Sequence, residues 1–359
     1  MGTILTQRRP FIMKMVGIIL VLAALIAGMV GCARLPSRNL EIRDWYDLHA
    51  VRDNLEGNHR LMNDLDATTA GYEKVASPMA NEGKGWEPIG YWDLSGGRGR
   101  PFMGAFDGQG YQIRDLYIDR PDEDTVGLFG AVAGFKLVEE GIVANVGVIN
   151  ATVTGGSYVG ALVGYNHIVV SQPGTVSNCY ATGSVTGDEY VGGLVGSNVA
   201  GTVSGSHSVT SVTGHDYVGG LVGHNLEGTV VNSYSSGNVT GYANVGGLVG
   251  SNDDTVNSCY SSAWVTGEQS VGGLAAVNNG TVSDSFWDTE TSGQSMSDGG
   301  TGKNTTEMKD IATFTDTETE GLEEPWDITV VSPGETNLDY VWNIVDGETY
   351  PFLSWECVA

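Results

Sequence analysis

The chain has 359 residues, a formal net charge of −26, 41% apolar residues and 53 glycines. That apolar share is enough for a core and excludes wholesale disorder, while the glycines lack the strict third-residue spacing of collagen. The acidic balance excludes nucleic acid as a partner, because its binders present a basic footprint, and it argues against direct electrostatic attraction to anionic lipid.

In chain order, Arg8, Arg9 and Lys14 precede an apolar run from Met15 to Val30, closed by Gly31-Cys32. A basic start, an apolar stretch and a small residue before the cut make an export signal, so residues 1–31 are read as a signal peptide. The run is short for a bilayer span, which needs about 20 residues. Met29-Val-Gly-Cys32 resembles a bacterial lipobox, with Met29 in the place of the usual Leu. That resemblance implies a lipid-modified Cys32 as the first residue of the mature protein, and several acyl chains hold a protein where a single one does not. Arg8-Arg9-Pro10-Phe11-Ile12 looks like a twin-arginine signal, with Gln7 replacing the usual Ser or Thr. Sec and twin-arginine export, and starts at Met1 and Met13, both stay open, as does inner against outer membrane.

Residues 32–100 read as a linker and capping segment. Leu48, Val51 and Leu55 have helical spacing and predict one short helix. Asp107-Gly108-Gln109-Gly110 is a turn signal. Asp119, Asp122, Glu123 and Asp124 form the densest acidic group, read either as a solvated loop or as a Ca²⁺ site.

Residues 101–290 are a repeat. A phrase of the type VGGLVGSN starts at Val126, Val159, Val191, Val218, Val245 and Val271, at separations of 33, 32, 27, 27 and 26 residues. Between the copies lies a second phrase, TVSNCYATGSVTG at Thr175, with counterparts at Thr202, Thr229 and Thr255 and a truncated one at Thr281. Such a period means a solenoid, propeller or array, and 27 residues are too few for a propeller blade of about 40. One repeat holds three short β-favouring runs, such as Thr175–Cys179, Ser184–Gly187 and Val191–Gly196, punctuated by Gly, Asn or Asp. Three strands and three corners make one coil of a right-handed parallel β-helix, the all-β fold expected here. Val176, Val203, Val230, Val256 and Val282 should then stack in one inward column, and Val185, Val212, Val239 and Val265 in another. Gly192-Gly193 and their copies would allow either φ > 0 or close backbone approach.

Tyr180, His207, Tyr234, Tyr260 and Phe286 hold one place in successive copies, next to a column of Cys or Ser. If Cys179 points inward, alternation turns Tyr180 outward. The five rings would then form an exposed ladder at about 4.8 Å spacing, a candidate surface for sugar rings. The opposite parity would put them in the core. Cys179 and Cys259 share a column three coils apart, about 14 Å, beyond the roughly 7 Å limit for a disulfide.

Residues 291–359 read as a closing module. Asn304 and Glu307 fit a capping pair opening a short helix through about Phe314; Thr315–Glu324 is an acidic loop, and Val341–Val345 and Tyr350–Trp355 are strands.

The VGGLVG phrase with its intervening TVxNCYxxGxVTG resembles the GLUG-motif repeat of bacterial and archaeal surface proteins. Phe102–Tyr111, Ser285-Phe-Trp-Asp288 and Tyr350–Trp355 resemble the flanking segments. The resemblance implies a β-helix-like solenoid at the cell surface with an adhesion or binding role. Some members carry the repeat beside a peptidase domain, but no catalytic residue belongs to the motif.

No HExxH or nucleophile elbow is present, and His49, His59, His167, His207, His215 and His224 show no metal-ligand spacing. His207 and His224 read as surface variants of the repeat. The expected function is a monomeric, lipid-anchored, extracytoplasmic binding solenoid without catalysis, cofactor or metal, taking a glycan or another surface macromolecule and touching the membrane only through its lipid. A polysaccharide lyase or glycoside hydrolase on the same fold is the alternative, and a passive envelope stalk is the third.

Overall fold

Short runs of β-branched residues, broken every few positions by residues that turn the chain, fold each repeat into one coil of a parallel β-helix. The computed structural model describes residues 39–134, 141–168 and 173–356. The signal segment with Cys32, and Cys357, lie outside the described residues. Strands of successive coils pair in parallel and in register: Thr175 faces Thr202, Thr202 faces Thr229, Thr229 faces Thr255 and Thr255 faces Thr281.

Four sheets run along the stack. Sheet 1 has nine strands, from Leu40–Ile42 to Thr281–Ser283. Sheet 2 has eleven, from Gln112–Arg114 to Thr301–Lys303, sheet 3 five, from Val159–Gly160 to Gln269–Gly272, and sheet 4 six, from Phe129–Gly134 to Ala275–Asn278. A coil thus has four strands, for example Gly174–Ser177, Tyr180–Thr186, Glu189–Gly192 and Val195–Val199, where three were expected. The glycine phrase is the reason, because it bends at Gly193-Leu194 instead of running as one strand. A Cβ on Gly192 would lie 1.9 Å from the Val195 carbonyl oxygen, and one on Gly193 2.2 Å from that of Gly220. These glycines therefore serve close backbone approach, and neither is among the positive-φ glycines.

The inward columns form as read. Val176, Val203, Val230 and Val256 are buried, as are Val185, Val212, Val239 and Val265, with Val282 packed at the end of its column. Cys179, Ser206, Ser233, Cys259 and Ser285 share the next column, with Ser206 Oγ accepting from the Cys179 amide and Ser285 Oγ from that of Cys259. Both cysteines are free and buried. The asparagine of the glycine phrases from Val159 onward lies inside as well, with Asn278 half-buried at the last rung. Asn166, Asn198, Asn225, Asn252 and Asn278 form an amide ladder, each Nδ2 donating to the next Oδ1 at 2.8 Å. Buried amides need such partners, and the ladder supplies them coil by coil.

At the N-terminal end, sheet 1 begins at Leu40–Ile42, within the segment read as linker and cap. The helix there spans Trp45–Ala50, with Asp44 accepting from the Asp47 amide, and continues as a tighter turn over Val51–Asp53. At the other end Asn304 and Glu307 bond reciprocally, each side chain to the other's amide. Two short turns follow, Glu307–Lys309 and Ala312–Thr315, and then a sheet of Ile328–Val330, Trp342–Ile344 and Phe352–Leu353. Ile328–Val330 is a strand beyond the two expected in this module.

Candidate functional site

The aromatic column sits on sheet 2, where Tyr180, His207, Tyr234, Tyr260 and Phe286 are register partners. Cys179 points in and the rings point out of the coil, the parity that alternation requires. Ring centroids are 5.1 Å apart for Tyr180–His207, 4.6 Å for His207–Tyr234 and 4.8 Å for Tyr234–Tyr260, with interplanar angles of 24°, 11° and 4°.

The exposed ladder needs a correction. His207, Tyr234, Tyr260 and Phe286 are only 6%, 8%, 2% and 0% exposed, so His207 is not a surface variant. The closing module folds over them. Phe314 and Trp326 pack on Phe286, Trp342 leans on Tyr234 and Tyr260, and Tyr350 stacks parallel to Tyr260 at 6.0 Å. The Tyr260 hydroxyl donates to the Pro351 carbonyl, and the Tyr234 hydroxyl to Glu356. A strip of outward rings is a large apolar patch, and the chain buries it with its own Trp- and Phe-rich tail.

Cover ends at Tyr180, which stays half-buried. There a notch of about 600 Å³ opens, lined among others by Asp107, Gln112, Asn145, Tyr180, Trp355 and Glu356. Trp355 lies 5.6 Å from the His207 ring and 5.8 Å from that of Tyr180. Gln112 Nε2 donates to the Tyr180 hydroxyl, and Asn145 Nδ2 to Asp107. Burial pushes the Glu356 carboxyl up to about 7 and the His207 imidazole down to about 3. His207 Nδ1 is 3.5 Å from Glu356 Oε1, within ion-pair distance. Burial disfavours charge on both, and Nδ1 makes no hydrogen bond, so the contact is between neutral groups from about pH 3 to about pH 7.

A second ladder escaped the sequence reading. Tyr158, Tyr190 and Tyr217 each precede the Val of a glycine phrase, and their rings stack at 4.6 and 4.9 Å. All three are half-buried. Their φ values are +60°, +57° and +53°, a left-handed corner that Thr125, Asn244 and Ser270 occupy in other coils. The signal was available: the residue before each Val reads Thr, Tyr, Tyr, Tyr, Asn, Ser. Rings stacked face to face offer solvent their edges, so a sugar finds a free face only where such a ladder ends.

Two carboxylates of the acidic loop are engaged by other groups of the chain. Glu123 pairs with Lys84 at 2.8 Å and Arg120 at 2.9 Å, and Asp124 accepts from the Ser157 amide. Among the described residues no group of three or more His, Cys, Asp or Glu is placed to hold a metal. Nor is any described helix long and apolar enough to cross a membrane.

The pattern of the GLUG motif matches residues 155–186 and 214–240, each segment carrying strands of all four sheets, about one coil. Two coils of the repeat thus carry the GLUG motif. The chain is similar to Halomucin of Haloquadratum walsbyi, 35% identical over 152 residues, which is 42% of this chain and 2% of that protein. It is also 35% identical over 130 residues to a "Putative Gly-rich membrane protein" of Evansella cellulosilytica, 35% of this chain and 13% of that one. The chain thus spans a small part of both relatives. A solved structure described as a "putative immunoglobulin A1 protease" from Bacteroides ovatus superposes with a TM-score of 0.62 at 19% identity, over 90% of this chain and 94% of the other. At that identity the likeness shows the fold: the GLUG repeats build a parallel β-helix.

Proposed function

We propose that this chain is an extracytoplasmic binding protein, tethered by lipid on Cys32, that takes a glycan or another surface macromolecule in the notch beside Tyr180. The carrying observation is that the closing module covers four rungs of the aromatic ladder and stops at the fifth. It leaves Tyr180 and Trp355 beside the amides of Gln112 and Asn145. Aromatic rings with a few convergent polar groups are the usual lining of a ligand pocket. A passive stalk would need no such notch. Similarity to Halomucin and to a glycine-rich membrane protein supports the surface setting.

One observation favours a hydrolase instead. Glu356, held up to about 7 beside the notch, has the protonation of a general acid, and Asp107 supplies a second carboxylate there. The test is a glycan array probed with the soluble Cys32→Ser protein, with and without Ca²⁺, and with Trp355→Ala. Binding that Trp355→Ala removes, without product formation, is the expected result. Product formation abolished by Glu356→Gln would establish the hydrolase, and no binding to any glycan would leave the stalk. Cys32→Ser should also move the protein from the membrane to the soluble fraction; a variant that stays in the membrane overturns the tether.

A further inference from the structure

The tyrosines of the corner ladder stand where a bulky side chain is costly. A left-handed φ at a residue other than glycine is strained by about 1–3 kcal/mol, and Asn tolerates it best. The fold itself accepts Asn244 and Ser270 at this corner. Three successive coils nevertheless carry Tyr, so the backbone does not explain the choice of side chain.

The ladder ends at Tyr217. One face of its ring stacks on Tyr190, at 10° between planes. On the other side the same corner of the next coil carries the small Asn244, and a pocket of about 190 Å³, lined also by Tyr190, Ser251 and Asp253, opens beside them. That is room for about six waters at roughly 30 Å³ each, the bulk of one six-membered sugar ring. Polar groups converge on the same pocket. His224 Nε2 and Asn279 Nδ2 lie 2.8 Å from the two oxygens of Asp253, which keeps lone pairs for further donors. Asn244 Nδ2 is anchored on Asp216, which turns its carbonyl oxygen free of that bond. His224 itself leans on Tyr190 and Tyr217 at 5.4 and 5.8 Å.

We infer that this pocket binds one uncharged pyranose residue of a glycan, its apolar face on the open face of Tyr217 and its hydroxyls on Asp253, His224 and Asn279. The chemistry follows from the parts. A C–H face of a sugar meets an aromatic ring, and vicinal hydroxyls donate to a carboxylate or an imidazole nitrogen and accept from an amide N–H. Asp253 and Asp216 exclude uronic acids by like charge. The site lies on the sheet 3 corner and shares no residue with the notch on sheet 2. It deepens the glycan-binding reading, yet stands or falls separately.

The test titrates the Cys32→Ser protein with methyl glucoside, methyl galactoside, methyl mannoside and methyl glucuronide, following tyrosine ring protons by NMR. At least one neutral glycoside should bind and shift the Tyr217 resonances, while the glucuronide should not. Tyr217→Asn, which copies the residue of the next coil, should weaken binding about tenfold or more with the fold intact. Asp253→Asn should weaken it several-fold. Trp355→Ala, which removes binding at the notch, should leave the glycoside-induced shift of the Tyr217 resonances in place. Absence of a shift with all three neutral glycosides, or wild-type affinity in Tyr217→Asn, overturns the inference. If Trp355→Ala alone abolishes binding, the notch is the sugar site and this pocket is not.

Discussion

The two aromatic ladders have the same pitch and nearly the same stacking, and opposite fates. On sheet 2, His207, Tyr234, Tyr260 and Phe286 lie under Trp326, Trp342, Tyr350 and Trp355, and the last three of these rungs belong to a second hydrophobic core. At the sheet 3 corner, Tyr158, Tyr190 and Tyr217 stay half-open to solvent. Coil spacing makes a ladder out of any repeated ring, so the ladder itself says nothing about use. What lies over it decides: a covered ladder is a docking strip for the rest of the chain, and an open one is left to meet something else.

The largest test of that contrast is in stability. Tyr260→Ala removes a ring stacked between Tyr234 and Tyr350 and a buried hydroxyl bonded to Pro351, and should cost about 3–5 kcal/mol in urea unfolding. Tyr190→Asn loses two stacking contacts but relieves a left-handed tyrosine, and should stay within about 1 kcal/mol of wild type. Equal losses in the two variants would erase the distinction between a covered and an open ladder.

The covered ladder should also respond to pH through Glu356. In the unfolded chain a Glu releases its proton near 4.5; folded, Glu356 keeps it to about 7. Between those values the folded state binds the extra proton, so this group's contribution is complete below 4.5 and is lost as pH rises to 7. His207 works in the opposite sense. Its folded value near 3 lies below the ordinary 6.5, so its contribution is complete above 6.5 and is lost as pH falls to 3. The two nearly cancel from 4.5 to 6.5. Glu356→Gln removes one side of that balance. Relative to wild type it should gain about 3 kcal/mol between pH 4.5 and pH 7.5, read from urea midpoints across pH. A constant difference across that range would show that Glu356 titrates normally.

The smallest effect belongs to the interior, which both ladders share. Ser206, Ser233 and Ser285 fill the rungs equivalent to Cys179 and Cys259, so Cys179→Ser should cost less than about 1 kcal/mol. Burial holds both thiols up at about 12, and neither should react with a thiol reagent until the chain unfolds. A Cys179–Cys259 bridge found by peptide mapping would contradict the coil itself.

Much of the molecule was legible in one dimension because a solenoid repeats its local environment. The 27-residue period, the Val columns, the Cys/Ser column and the outward parity of Tyr180 all follow from strand alternation and coil stacking, which act between neighbours of known spacing. The capping pair Asn304–Glu307 was legible for the same reason, being a bond across three residues. The bend inside the glycine phrase was not, since close approach to Val195 and Gly220 depends on where the next coil lies. Nor was the buried asparagine ladder, whose partners are 26 to 32 residues apart. Least legible was the covering of the sheet 2 rings. Trp355 meets Gly205 across 150 residues, and Tyr234 meets Glu356 across 122. No periodicity links such positions. Sequence by itself determined which rings stack and which way they point, because those are properties of one coil and its neighbour. Only the tertiary structure decided which stack is buried and which stays open, because that depends on where a non-repeating tail finds the largest apolar strip to cover.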